Sequence, residues 1–161
     1  MEPFPLHSAD KDNSFERDLG LITAVLESGH SVELPATGYS MFPTFRPGYR
    51  VVVRPLTEGE PPIRGSVVVY KENNGLVMHR LIEIIDNDPN NILFITRGDS
   101  MLEPDKPWPL QQLMGVAVRY KGGRREHSVK TFVPGVWRYG YNRRMLWIYN
   151  KLMRLYDKMK A

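Results

Sequence analysis

The sequence predicts a mainly β fold with one helix before it and a basic, amphipathic helix after it, and three observations carry that reading. Short runs rich in Val, Ile and aromatic residues follow one another from Ser31 to Val129, the composition that suits a pleated, half-buried surface. Turn-forming residues stand at nearly every join, and 13 Gly with 13 Pro favour many short turns over long helices. Beyond residue 140 the apolar spacing changes to threes and fours, the helical period. At 161 residues, 42% hydrophobic and 25% charged, the chain has the size and composition of one globular domain, able to bury roughly two-thirds of its unfolded surface.

Residues 1 to 14 read as a polar tail. Phe15 to Glu27 then reads as one helix, started near Asn13 or Ser14 and stopped by Gly29. The strands follow as SVELPA, RVVVRPL (Arg50 to Leu56), GSVVVYKE (Gly65 to Glu72), LVMHRLIEII (Leu76 to Ile85), NILFITRG (Asn91 to Gly98) and LMGVAVRYKGGRREHSV (Leu113 to Val129). ENNG (Glu72 to Gly75) is a hairpin turn, since Asn and Gly accept the positive φ such turns require, and KGG (Lys121 to Gly123) closes a second hairpin. The segment NRRMLWIYNKLMRLYDKMKA reads as a helix with Met145, Ile148, Leu152, Leu155, Tyr156 and Met159 on one stripe and Arg144, Lys151, Arg154 and Lys158 largely off it. The chain thus divides into a tail and short helix (1–30), a β domain (31–130) and a basic amphipathic segment (131–161).

With no cysteine, a disulfide framework and a cysteine-based zinc site are excluded. The first residues lack the basic-then-apolar pattern of a secretory signal. LGLITAVL (Leu19 to Leu26), the longest apolar stretch of that region, is far short of the ~20 residues a bilayer span needs. A cytoplasmic location is expected. Charge is uneven: residues 1–118 hold 10 Lys and Arg against 16 Asp and Glu, and residues 119–161 hold 12 against 2, giving −6 and +10. That asymmetry implies an anionic partner for the C-terminal end. The segment Tyr141 to Lys160 suits an anionic membrane surface, which would place the protein peripherally at the inner membrane face. Packing on its own domain is the alternative, between which periodicity does not choose. Nucleic acid fits less well, because the stripe is Met, Leu, Trp and Tyr.

GYSMFPTF, Gly38 to Phe45, sets a serine between a Gly-Tyr pair and a proline that stiffens the segment. A serine hydroxyl is a poor nucleophile until a base takes its proton and N–H donors stabilise the oxyanion that forms. Of the four histidines, His79 lies inside an apolar strand, where alternation puts Val77, His79 and Leu81 on one face. His7 falls in the tail, His30 in a turn and His127 at a basic strand end. A strand histidine is most often simply packed, but TRGDSMLEPD (Thr96 to Asp105) follows with two carboxylates. A histidine base needs an acceptor on its other nitrogen, and Asp99 or Asp105 could serve.

GYSMFPTFRPG, then GSVVVYKENNGLVMHRLIEI, then FITRGD together resemble the signal peptidase I family and its LexA-like relatives, over about Val32 to Val118. In that family a Ser-Met-x-Pro element carries the nucleophile, a Lys-Arg or His-Arg pair the base, and a Gly-Asp turn follows. The resemblance implies Ser40 as nucleophile, His79 as base in the manner of the endoplasmic-reticulum and archaeal branch, Asp105 as acid and Asp99 as the structural aspartate of the turn. Gly38, Met41 and Pro43 would form the substrate and oxyanion region, with Thr37 a weak candidate for a second donor; no metal or other cofactor is implied. Histidine also suits the task physically. A lysine base must be kept neutral some 3 pH units below its ordinary ~10.4, a bias on the order of 4–5 kcal/mol, whereas histidine near 6.5 needs orientation more than desolvation.

This chain departs from the family at Gly38, where lysine-type members often carry a serine, at Ser66 for the usual Asp, and at Ser100 for the frequent Asn. It also lacks the membrane-spanning helix that tethers most signal peptidases, and looks like their short soluble relatives. The expected function is a serine endopeptidase that removes a leader or signal-like peptide. The alternatives are an inactive peptide- or partner-binding module and, less well matched, a LexA-like self-cleaving regulator. The last is disfavoured because one short helix precedes Ser40 and no Ala-Gly pair occurs.

Overall fold

The computed structural model describes residues 9–56, 61–73, 75–86 and 91–160, with side chains described from Asp18 onward. Helix α1 (Ala9–Glu27) precedes strands β1 (Val32–Pro35), β2 (Arg50–Arg54), β3 (Val67–Glu72), β4 (Gly75–Ile85), β5 (Leu93–Arg97), β6 (Trp108–Pro109), β7 (Leu113–Gly122) and β8 (Arg125–Ser128); helix α2 (Val136–Lys160) closes the chain. The strands form one antiparallel sheet in the order β1-β2-β7-β3-β4-β5-β6, with β8 paired to β7. The expected mainly β body, with a helix on each side in sequence, is present.

All six strand runs read from the sequence are strands, the last of them as the β7–β8 hairpin. Asn73 turns the β3–β4 hairpin at φ 49° and Gly123 turns β7–β8 at φ 69°; Asn74, inside the predicted ENNG turn, lies outside the described residues. Two boundaries differ from the expectation. Helix α1 begins at Ala9, within the predicted polar tail. Helix α2 begins at Val136, six residues before the predicted start, because Tyr139 and Asn142 are buried against the domain. Strand β6, a two-residue pairing with β5, was not expected.

Strand β3 explains the run VVVY. It lies between β7 and β4 and is covered on both faces, so no polar alternation is required of it. Val68 and Tyr70 pack with Leu81, Phe94 and Trp108 on one side. On the other side Val69 meets Leu26, Leu34 and Val53, and Val67 meets Met41, Phe45 and Val51. Phe45 and the buried valines each contribute about 1.5–3 kcal/mol relative to exposure. This second layer ties the Ser40 segment to the sheet: Met41 and Phe45 are its anchors, and Leu26 brings α1 against β1 and β2.

Two strand edges bound a cleft. Among the described residues, strand β1 pairs only with β2, and the Gly75–His79 half of β4 pairs with β3 but not with β5, whose pairing begins at Arg80. Between these edges, among the described residues, lies an open cleft of about 580 Å³ lined largely by apolar side chains such as Ile22, Leu34, Val69, Leu76 and Met78.

Candidate active site

Adjacent residues on a strand point to opposite faces, and β4 uses this to send His79 and Arg80 into two separate polar clusters. His79 stands at the floor of the cleft, which Thr37, Gly38, Ser40 and Met41 also line. Its Nδ1 lies 2.6 Å from Asp105 Oδ2. A carboxylate accepts only from an N–H, so Nδ1 carries a proton and Nε2 is the ring nitrogen that Asp105 leaves unused.

Asp105 is itself surrounded. Thr96 Oγ1 donates to its Oδ2 at 2.6 Å, Tyr70 Oη donates more weakly at 3.3 Å, and Trp108 Nε1 donates to Thr96 Oγ1 at 3.1 Å. Burial works to raise the Asp105 carboxyl; the His79 hydrogen bond and charge, with the two hydroxyls, outweigh it and hold Asp105 below its ordinary value of 3.8. Tyr70 shows the opposite direction: burial pushes its phenol well up, so it stays a donor. Tyr70 also stacks on Trp108 with ring centroids 4.2 Å apart, which fixes both donors.

The second cluster holds the Ser40 segment. Arg80 is fully buried and pairs in bidentate fashion with Asp99, Nε to Oδ1 and the second guanidinium nitrogen to Oδ2, both at 2.8 Å. Its remaining terminal nitrogen donates to the carbonyls of Gly65 and Lys130 at 2.8 and 2.9 Å, and the guanidinium lies 4.3 Å from the Phe132 ring centroid. Thr44, four residues after Ser40, donates to Asp99 Oδ2, and Asn142 of α2 donates to the Asp99 carbonyl at 2.8 Å. Gly65 is needed here: its φ is +91°, and a Cβ would stand 2.7 Å from the Phe132 backbone.

The loop after β5 joins the two clusters. Ser100 N–H donates to the Ser40 carbonyl at 2.9 Å, and Ser100 Oγ lies 2.8 and 3.0 Å from the carbonyls of Tyr39 and Ser40. A Cβ on Gly98 would come within 2.7 Å of the Ser40 carbonyl oxygen and 3.1 Å of His79 Nε2. The two groups are therefore no further apart than the sum of those distances, and only a glycine lets the loop pass between them. Arg97 steadies the loop from outside: it donates to the Met101 carbonyl at 3.0 Å and to the Leu102 carbonyl, and its guanidinium lies 3.7 Å from the Tyr139 ring centroid.

Ser40, His79 and Asp105 thus belong to one neighbourhood, with His79 joined directly to Asp105. The Ser40 hydroxyl makes no hydrogen bond to His79 among the described residues. Asp99 is turned away from the imidazole into its pair with Arg80. Gly38 lines the cleft, and a Cβ there would meet nothing within 4 Å. Met41 also lines it while anchoring the core; Pro43 is exposed and is not among the lining residues. Phe42 packs on Tyr149 of α2, centroids 5.5 Å apart. His30 and His127 are exposed and distant in the fold, and His7 lies outside the described residues.

Sequence reasoning missed Tyr70, Thr96, Ser100 and Asn142. One signal was available: in the β3–β4 hairpin Val68 faces His79, so Tyr70 falls two residues along on the same face. The others act across 9 to 60 residues of chain. No model of a known protein family matches the chain, and no curated protein matched it.

Proposed function

We propose that this protein is a serine endopeptidase of the signal-peptidase type, acting on a leader or signal-like peptide. The observation that carries the reading is the 2.6 Å contact between His79 Nδ1 and Asp105, which leaves Nε2 as the other ring nitrogen of a residue that lines the same cleft as Ser40. In this reading Ser40 Oγ attacks the peptide carbonyl as His79 Nε2 takes its proton. His79 then gives that proton to the leaving amine, and a water activated by the same nitrogen releases the acyl group. Asp105 stays ionised and stabilises the imidazolium. The substrate lies extended between the free edges of β1 and β4, its backbone paired and its side chains in the apolar cleft.

A peptide-binding module without turnover is the second reading, favoured by the absence of a Ser40–His79 hydrogen bond. Mass spectrometry after exposure to an acylating serine-protease inhibitor separates the two. Covalent labelling of the wild type, lost in both Ser40→Ala and His79→Ala, is expected. A wild type that stays unlabelled yet binds peptide would establish the module instead.

A further inference from the structure

We infer that the outward face of α2 seats this protein on an anionic lipid bilayer, a property separate from the peptidase reading. Among the described residues the helix meets its own domain through one side, Arg138 lying over the Phe132 ring at its start. Tyr139, Asn142 and Tyr149 make those contacts, to Arg97, to the Asp99 carbonyl and to Tyr39 and Phe42. At ~100° per residue these three fall on one arc.

The side chains that look most like core are elsewhere. Trp137, Tyr141, Ile148, Leu152, Leu155 and Met159 fall within an arc of ~60° on the opposite side. They are 73, 57, 38, 60, 51 and 86% exposed. An exposed seam of this length, running from one end of a 25-residue helix to the other, is what marks an interaction surface rather than scattered surface apolar residues.

Charge selects the occupant. The helix carries seven Lys and Arg against one Asp, a net of +6. Arg143, Arg144, Lys151, Arg154 and Lys158 form a basic band along one border of the seam, all of them exposed. A second copy of the chain on this face would bring two such bands together, and a nucleic acid would leave the apolar seam in water. An anionic bilayer satisfies both parts: headgroups meet the basic band while the seam enters the boundary with the acyl chains, Trp and Tyr residues at the interface. No helix among the described residues is long and apolar enough to cross a membrane, so the helix lies along the surface. Because Tyr149 packs on Tyr39 and Phe42, either side of Ser40, a seated protein holds the cleft close to the lipid.

The test uses the full chain with vesicles of phosphatidylcholine alone or mixed with phosphatidylglycerol, read by co-sedimentation and by tryptophan emission. Trp108 is already buried, so a blue shift reports Trp137 and Trp147. Binding to the mixed vesicles, weakened by salt and at least about tenfold weaker in Ile148→Glu/Leu152→Glu, is expected. Lys151→Glu/Lys158→Glu, which leaves the seam intact, should lose binding to a similar degree. Ser40→Ala should bind as the wild type does, which keeps this result apart from the fate of the peptidase reading. Vesicle binding that both double variants retain, or no binding at all, overturns the proposal. So does a dimer in light scattering that Ile148→Glu/Leu152→Glu dissolves, since a second copy would then be what covers the seam.

Discussion

Two carboxylate pairs flank the loop after β5, and they differ in one respect that matters. In the Arg80–Asp99 pair the side chains are 0 and 2% exposed, and every guanidinium nitrogen is occupied by a carboxylate or a carbonyl. In the His79–Asp105 pair they are 11 and 21% exposed, and Asp105 leaves one ring nitrogen unused. The first pair is closed and can only hold parts in place. The second is partly exposed and borders the cleft. Both begin from neighbouring residues of β4, so a single strand supplies a candidate base from one face and the anchor of the Ser40 segment from the other.

The largest effect expected from breaking this contrast is on chemistry. Asp105→Asn should slow acylation of Ser40 by roughly 10⁴-fold, about 5 kcal/mol of barrier, because the imidazole loses both its tautomer and its counter-charge. The fold should survive, with unfolding free energy down by only about 1–2 kcal/mol. Asp99→Asn should do the reverse: about 3–5 kcal/mol lost in a denaturant melt, since Arg80 is left buried without its carboxylate. If Asp99→Asn instead leaves stability intact and Asp105→Asn unfolds the protein, the two pairs have been assigned the wrong way round.

A pH series sharpens the same comparison. Asp105 is held below 3.8, so it binds fewer protons folded than unfolded as acid is added, and its contribution to stability is present above that value. The contribution is lost as pH falls through the folded-state value. The stability gap between wild type and Asp105→Asn should therefore stay level above about pH 5 and close below pH 3.8; a gap that widens with acid would contradict the sign. The smallest change is expected from Tyr70→Phe. Its 3.3 Å hydrogen bond is long, so about 0.5–1 kcal/mol of stability should go, with an acylation rate altered by no more than about threefold.

Local pattern accounts for what could be read in advance. The strands announce themselves through Val and Ile runs broken by Gly, Asn and Pro, and the β3–β4 turn through Asn73 beside Gly75. Ser40, His79 and Asp105 were legible as residue types suited to one chemistry; the Ser40 segment is held in their neighbourhood by Met41 and Phe45 in the core and by the Ser100 N–H on the Ser40 carbonyl. The supporting shell was not legible. Thr96 reaches Asp105, and Trp108 reaches Thr96, because β5 lies between β4 and β6, and Asn142 reaches Asp99 from a helix 43 residues on. The early start of α2 was hidden for the same reason, since Tyr139 and Asn142 are helical residues held by tertiary contacts rather than by periodicity. The apolar stripe of α2 was visible, but its direction was not: its residues are exposed, and two tyrosines and an asparagine dock the helix.

The hydrogen bond from Asn142 to the Asp99 carbonyl has a consequence for the order in which the molecule is assembled. A ribosome delivers Ser40, His79 and Asp105 well before it delivers Asn142 and Tyr149, so a growing chain carries all three while the loop after β5 still lacks its outer brace. Of the two described α-helices, the one made later supplies that brace.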